Sequence, residues 1–256
     1  MKKAILDIIT FLGIQALVSL TVPLIWGMVT GSPDVTTGMM ITTTVIFSLL
    51  TIVVFLWAGW TKVSPTWLRT RPWMVLIWSV IAALGLVVPS AWLQEQIPEL
   101  PNLVEQEFDM ILKDRWGYLA IGLLAPLAEE IVFRGAALRS LLASRLSPLA
   151  AIVISALLFA VAHLNPAQMP HAFLVGLLLG WMYWRTGSIL PGMAYHWANN
   201  SVAYVLYAFY PNPDIKLIDI FKGSEQHVYM ALGFSLLILL PALYQLHLWM
   251  RHADEW

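Results

Sequence analysis

The chain has 256 residues, of which 59% are hydrophobic and 11% charged, with a net charge of −1. An ordinary soluble domain has about 45–50% apolar and about 25% charged residues, so this composition predicts a polytopic membrane protein and argues against a soluble domain. No basic stripe is present to neutralise nucleic-acid phosphates. The absence of cysteine excludes disulfides, Fe–S clusters and thiol catalysis.

Eight apolar segments approach the roughly 20 residues that a membrane-spanning helix needs. The first follows Met1-Lys2-Lys3 directly and exceeds the about 7–15 apolar residues of a signal peptide. The fifth and sixth are short, and two prolines in the link 165–170 predict a break between two helices. The predicted spans are 4–29, 39–60, 73–93, 116–142, 149–163, 171–184, 189–207 and 228–250.

These spans predict an all-α fold in which about eight transmembrane helices enclose an intramembrane cavity. No internal repeat or linker divides the sequence, so residues 1–256 are expected to form a single integral membrane domain. The longest loop, residues 94–115, is acidic, and we expect it to be solvated; its portion 104–112 can instead form an amphipathic surface helix.

The distribution of lysine and arginine among the loops predicts the orientation. Loop cations are concentrated on the amino-terminal side, and this bias is the feature that sets membrane topology. We therefore expect a multi-pass protein of the plasma (inner) membrane with both termini in the cytoplasm. The first side carries Lys2, Lys3, Lys62, Arg69, Arg71, Arg145, Arg185 and Arg251, and the other carries Lys113, Arg115, Lys216 and Lys222.

Two adjacent carboxylates, Glu129 and Glu130, lie in the middle of the fourth predicted span, and Arg134 follows. A carboxylate at bilayer depth costs about 2.5–3.5 kcal/mol on insertion scales, so the pair indicates function rather than packing. Residues i and i+4 share a helix face, so Glu130 is expected to pair with Arg134. Glu129 then remains as the candidate base, with Glu130 as its structural and electrostatic support.

Polar residues on two further spans reach a similar depth. At 1.5 Å per residue, Glu129 and His163 are each about 22 Å from the predicted cytoplasmic ends of their helices. His196 and Asn200 share one face of the seventh span, somewhat nearer the cytoplasm. We therefore expect these four side chains to line one cavity that opens towards the cytoplasm, widened by a kink at Pro126.

A carboxylate and an imidazole beside two hydrogen-bond donors can activate water and stabilise an oxyanion. Glu129 with His163 is expected to hold and deprotonate a water molecule, and His196 with Asn200 to donate to the oxyanion of a tetrahedral intermediate. Phe159 lies one turn before His163 and is expected to orient its imidazole.

The same residues can instead hold zinc, with Glu129, His163 and His196 as ligands and a water in the fourth position. However, the sequence contains no H-E-x-x-H pattern and no histidine pair with the spacing of a zinc site. The mechanism without a cofactor is therefore preferred, and zinc is left open.

The patterns formed by residues 129–134, 159–163 and 196–200 resemble the EExxxR, FxxxH and HxxxN/D motifs of the CAAX-protease and bacteriocin-processing (CPBP) family, also called the Abi or type II CAAX prenyl endopeptidase family. The similarity covers about residues 116–207, with the motifs in family order on separate predicted helices. It implies an eight-span, all-α intramembrane protease that works without bound metal. The catalytic residues that it implies are Glu129, Glu130, Arg134, His163, His196 and Asn200.

We therefore expect an intramembrane endopeptidase whose substrate is a membrane-embedded or membrane-docked protein or peptide, entering from the cytoplasmic side or laterally. One alternative is a non-catalytic scaffold, chaperone or bacteriocin-immunity protein of the same fold. A proton-coupled transporter would also use intramembrane Glu and His, but the sequence lacks the repeated halves of such proteins. His171 lies near a predicted span end and is expected to take no part in the chemistry, and Asn199 is expected to serve packing or capping.

Overall fold

The structure is a computed structural model that describes residues 1–63, 73–212 and 215–250. Within these ranges all regular secondary structure is helical, and the chain is an all-α polytopic membrane protein. Eight helices coincide with the eight predicted spans, to within a few residues at each end. The helices are α1 (Lys2–Thr30), α2 (Thr37–Trp57), α3 (Trp73–Glu95), α4 (Glu105–Leu112), α5 (118–142), α6 (Pro148–Ala162), α7 (Met169–Thr186), α8 (Leu190–Phe209), α9 (Leu217–Ile220) and α10 (Glu225–Trp249).

Helices α1, α2, α3 and α10 are long and apolar enough to cross a membrane, and α6 is apolar but shorter. Much of their surface is apolar and turned outwards, as at Leu20 and Leu237, which fits helices that face lipid. Helices α5 to α8 carry the candidate site residues, and α5 is the most deeply packed, since every side chain from residue 131 to 138 is buried.

Local sequence explains where the central helices begin and end. Ser147 caps α6 by accepting a hydrogen bond from the Ala150 amide at 3.3 Å, and Pro148 occupies the first helical position. Gly187, with φ of 63°, ends α7 in the left-handed conformation. Helix α6 ends at Ala162 and α7 begins at Met169, so the break predicted from the two prolines is confirmed.

A row of phenylalanine rings fixes α5 against its neighbours. Phe11 of α1 lies between Phe47 of α2 and Phe133 of α5, with centroid distances of 5.1 and 5.3 Å. Phe133 in turn contacts Phe159 of α6 at 5.0 Å, edge to face. Aromatic pairs of this geometry are favourable beyond the area that they bury. Because Phe133 is one turn from Glu129, this row sets the position of the glutamates.

Helix α5 is not a regular α-helix. Its segments Tyr118–Leu124 and Ile131–Leu138 are π-helical, while Ala125–Glu130 between them is α-helical. π-helical turns are rare and frequently mark functional sites. The sequence predicted a kink at Pro126, and the π-helical segment Tyr118–Leu124 ends just before this proline.

The bundle has two distinct ends, which we call the amino-terminal end and the α4 end. At the first, Arg185 of α7 donates to the Met250 carbonyl at 2.8 Å, and at the second, Tyr204 of α8 donates to the Asp114 carbonyl at 2.6 Å. Of the cations counted above, Arg185 lies at the amino-terminal end and Lys113 at the α4 end. Three of those cations, Arg69, Arg71 and Arg251, lie outside the described residues.

Helix α4 was expected to be a solvated loop, and that expectation is wrong. Its apolar side chains Phe108 and Ile111 turn towards the bundle, which gives the segment a reason to fold. Asp109 accepts hydrogen bonds from Lys113 and from Tyr207 of α8. These contacts attach α4 across one end of the bundle.

Candidate active site

Glu130 and Arg134 form a buried ion pair, as the four-residue spacing predicted. The Nη1 atom of Arg134 lies 2.9 Å from Oε1 of Glu130, and the two side chains are 1% and 0% exposed. The guanidinium also lies over the ring of Phe159 at 4.4 Å, and its Nη2 atom donates to the Gly176 carbonyl at 3.4 Å. Neither charged side chain lines the cavity that contains Glu129. The ion pair therefore supports the site from the packed interior.

His196 connects the two glutamates. Its Nδ1 atom lies 3.1 Å from Oε1 of Glu130, and its Nε2 atom lies 3.6 Å from Oε2 of Glu129. Because Arg134 donates to the same Glu130 oxygen, that carboxylate acts as an acceptor, and Nδ1 must carry a proton. The Nε2 atom is thereby directed towards Glu129.

His163 directly follows α6 as its C-cap residue, and Phe159 orients its imidazole as expected. Its Nδ1 atom lies 2.8 Å from the Phe159 carbonyl, which can only accept, so Nδ1 carries the proton and Nε2 keeps its lone pair. The Phe159 ring packs edge to face against His163 at 4.8 Å and against His196 at 5.8 Å. One phenylalanine therefore contacts both imidazoles as well as the guanidinium of Arg134.

A cavity of about 640 Å³ brings together Glu129, His163, His196 and Asn200. The Glu129 side chain is 21% exposed, unlike its buried neighbour. Among the described residues, no ion pair within 4.0 Å joins Glu129 to His163. The histidine that lies within this distance of Glu129 is His196. The depth argument put these side chains at one level but carried no information on which would be adjacent around the cavity.

Asn200 is fixed by a carbonyl that Pro126 leaves free. In the π-helical register, the Ala125 amide bonds to the Ala120 carbonyl, so the next carbonyl, that of Ile121, falls opposite Pro126. Proline has no N–H, and the Ile121 carbonyl instead accepts from Nδ2 of Asn200 at 3.0 Å. The second N–H of that amide remains available to the cavity.

The cavity lies in the half of the bundle nearer the α4 end. Its walls include Gln15 and Thr43 from α1 and α2, Phe108 from α4 and Gln168 before α7. Towards the amino-terminal end the space closes, because residues 131–138 of α5 are packed on all sides. The cavity therefore extends towards the α4 end, whereas the opening was expected on the amino-terminal side. Counting residues along the helices gave the depth of the site, but it did not show towards which end of the bundle the cavity extends.

The residues proposed as zinc ligands do not form a metal site in this arrangement. In the described part of the chain, no three His, Asp or Glu side chains are grouped as metal ligands. Glu129 and His196 are 3.6 Å apart, but among the described residues no ion pair within 4.0 Å joins His163 to Glu129.

Three residues at the site were missed from the sequence. His171 and Asn199 line the cavity, and a Cβ atom on Gly192 would lie 2.6 Å from Oε2 of Glu130. Gly192 is four residues before His196, on the same face of α8, which is a signal that could have revealed it. Counting depth along the sixth span would likewise have placed His171 near His163.

Comparison with known proteins agrees with these observations. Residues 112–202 match the model of the family described as Type II CAAX prenyl endopeptidase Rce1-like, and this segment contains all six predicted catalytic residues. No curated protein matches the chain, and no solved structure does. The segment 112–202 is therefore similar to the Rce1-like family of type II CAAX prenyl endopeptidases, which is a protease family.

Proposed function

We propose that this protein is an intramembrane endopeptidase. It hydrolyses a peptide bond of a membrane-embedded or membrane-docked protein or peptide with a water molecule activated by Glu129. The observation that carries the proposal is the placement of Glu129 on the cavity wall, with His196 3.6 Å away and the buried Glu130–Arg134 pair behind it. Similarity to a protease family supports the same reaction class.

Glu129 is the group best placed to act as general base. Its carboxylate is partly exposed to the cavity, and the free Nε2 lone pair of His163 on the same wall can accept a hydrogen bond from the attacking water. Glu129 takes one proton from this water while the oxygen attacks the carbonyl carbon of the scissile bond. When the C–N bond breaks, the same carboxyl group returns the proton to the leaving amine.

Asn200 and His196 are the groups proposed to stabilise the oxyanion. The second Nδ2 proton of Asn200 is available after the bond to Ile121, and fixed donors of this kind lower the barrier without reorganising. His196 lies between the two carboxylates, with Nδ1 3.1 Å from Glu130 and Nε2 3.6 Å from Glu129. When Nε2 carries a proton, it can donate to the developing oxyanion.

Hydrolysis by wild type and Glu129→Gln in detergent micelles tests this proposal, with a mixture of internally quenched apolar peptides as the probe. Loss of a general base should lower turnover by about 10²–10⁴-fold. Glu225→Gln, the same change at an exposed position in the first turn of α10, should retain wild-type turnover. Equal turnover by Glu129→Gln, or no turnover by a folded wild type, would overturn the proposal. The latter result would favour a non-catalytic scaffold or immunity protein.

A further inference from the structure

His171 stands in the wall of the cavity although it belongs to none of the three motifs. It lies in the first turn of α7, beside the cavity that contains Glu129 and Asn200. Its other side borders a second cavity of about 250 Å³ between α3 and α8, which Ser90 and Asn199 also line. The imidazole therefore forms the partition between the two spaces.

Hydrogen bonds connect this imidazole to Asn200. Nδ2 of Asn199 lies 3.3 Å from Oδ1 of Asn200 and 3.4 Å from Nε2 of His171. On the far side, Nδ1 of His171 lies 2.6 Å from Oγ of Ser90, a hydroxyl buried on α3. The path runs from the Ile121 carbonyl through two amides and one imidazole to a serine.

The Ile121 carbonyl, at which the path begins, determines which atom donates in every hydrogen bond of the path. The Ile121 carbonyl can only accept, so Asn200 points Nδ2 towards it and offers Oδ1 to Asn199. Asn199 must then present its own Nδ2, which also donates to Nε2 of His171. Since Nε2 accepts, the proton of the neutral imidazole is on Nδ1, which donates to Ser90.

These hydrogen bonds bear on the orientation of the Asn200 side-chain amide. An Asn side chain rotated by a half turn exchanges its oxygen and nitrogen, and an oxygen turned towards an oxyanion would repel it. We propose that His171 is a positioning residue: held by Ser90, it holds Asn199, which keeps the Asn200 amide with its N–H groups towards the substrate. This inference rests on the proposed function, in which Asn200 donates to the oxyanion.

Steady-state kinetics of a double-mutant cycle, with the quenched apolar peptides in micelles, test this role. The variants are His171→Phe, Asn200→Ala and both together. Asn200→Ala removes a whole oxyanion donor, which lowers kcat by about 10²–10³-fold. His171→Phe should lower kcat less, by about tenfold, because Asn200 keeps its hydrogen bond to the Ile121 carbonyl. KM should stay within about twofold of wild type, and in the Asn200→Ala background His171→Phe should cause no further loss.

Two further variants keep the test decisive if His171→Phe does not fold. Asn199→Asp has the same shape but no amide donor, and Ser90→Ala removes one hydroxyl, so each should lower kcat. Ser90→Ala adds no titratable group and should leave the shape of the pH profile unchanged. His227→Phe, the same substitution at an exposed site on α10, is the matched control.

The possible failures are distinguishable. Two results would overturn the positioning role alone. One is a wild-type kcat in both His171→Phe and Asn199→Asp. The other is a loss of kcat from His171→Phe that is as large in the Asn200→Ala background as in wild type. Wild-type turnover in Glu129→Gln and Asn200→Ala would overturn the proposed function itself, whatever His171 does.

Discussion

The guanidinium of Arg134 lies 2.9 Å from the carboxylate of Glu130, at a point where neither side chain reaches solvent. Charges taken out of water are costly unless they are paired, so this contact fixes one turn of α5 as a unit. His196 adds a third polar side chain to the same carboxylate, at 3.1 Å. The stability of the bundle and the alignment of the site are therefore coupled through Glu130.

Replacing Arg134 by Met should destabilise the protein by about 3–5 kcal/mol, because Glu130 is left as an unpaired buried charge. Thermal unfolding in detergent measures this loss. The double variant Glu130→Gln with Arg134→Met, which removes both charges, should recover much of the lost stability while activity stays low. A double variant no more stable than Arg134→Met would show that the ion pair is not what holds this turn.

Gly192 is required because Glu130 occupies the space of a side chain. A Cβ atom there would lie 2.6 Å from Oε2 of Glu130, whose carboxylate is held by Arg134 and His196 and has little freedom to move. Gly192→Ala should therefore cost about 1–3 kcal/mol through overpacking. It should also lower turnover by up to about a hundredfold, since small displacements of catalytic groups have large effects.

Gly233→Ala provides the matched control for this change. No atom lies within 4 Å of the Cβ position at Gly233 on α10, so the substitution should leave turnover unchanged. It should raise stability by about 0.5–1 kcal/mol through helix propensity. Unfolding curves and peptide hydrolysis for the two alanine variants give the comparison, and equal behaviour would contradict the steric argument at Gly192.

Local spacing and hydropathy predicted the parts of this structure that depend on regular helices. The eight spans follow from apolar length, and the Glu130–Arg134 pair follows from two residues one turn apart. The similar depth of His163 and Glu129 along their helices also followed from counting 1.5 Å per residue. None of these arguments needs to know which helices are neighbours.

The parts that were missed depend on packing between helices or on irregular backbone. Which histidine meets Glu129 depends on how α5, α6 and α8 are rotated about their axes, and the sequence pattern does not report rotation. The free carbonyl at Ile121 exists because a π-helical turn precedes Pro126, and 3.6-residue periodicity assumes that no such turn occurs. Helix α4 is stabilised by contacts to residues far away in sequence, such as Tyr207.

The attachment of α4 should weaken in acid. Hydrogen bonds from Lys113, and secondarily from Tyr207, lower the pKa of the Asp109 carboxyl below its ordinary value. A carboxyl with a lowered folded-state pKa stabilises the attachment above its unfolded pKa, and this contribution is lost as pH falls through the folded-state value. Below about pH 4, the ordinary range for Asp, α4 should therefore begin to detach.

Hydrogen exchange of the α4 amides, corrected for the intrinsic pH dependence of exchange, measures this detachment. Protection should be lower at pH 3 than at pH 7, and Asp109→Asn should reduce protection already at pH 7. If wild-type protection were the same at both pH values, the Asp109 contacts would not be what holds α4 in place.

Because the cavity extends towards the α4 end, the membrane orientation is decisive for the choice of substrate. The cavity is lined from the α4 end, and the cation bias predicts that the amino-terminal end faces the cytoplasm. If the amino-terminal end faces the cytoplasm, as this bias predicts, we expect an extracytoplasmic or laterally entering segment to reach Glu129 from the outer face. The chain has no cysteine, so single introduced cysteines report accessibility without background.

In intact cells, a membrane-impermeant maleimide should label Leu103→Cys, which is exposed at the α4 end, and Gln168→Cys, which lines the cavity. It should label Ala143→Cys, exposed after α5 at the amino-terminal end, only after the cells are permeabilised. The reverse pattern would mean that the bundle is inverted relative to the charge rule and that the cavity receives cytoplasmic substrates. Leu103→Cys controls for the cavity position, because it reports the same end of the bundle without lying in the site.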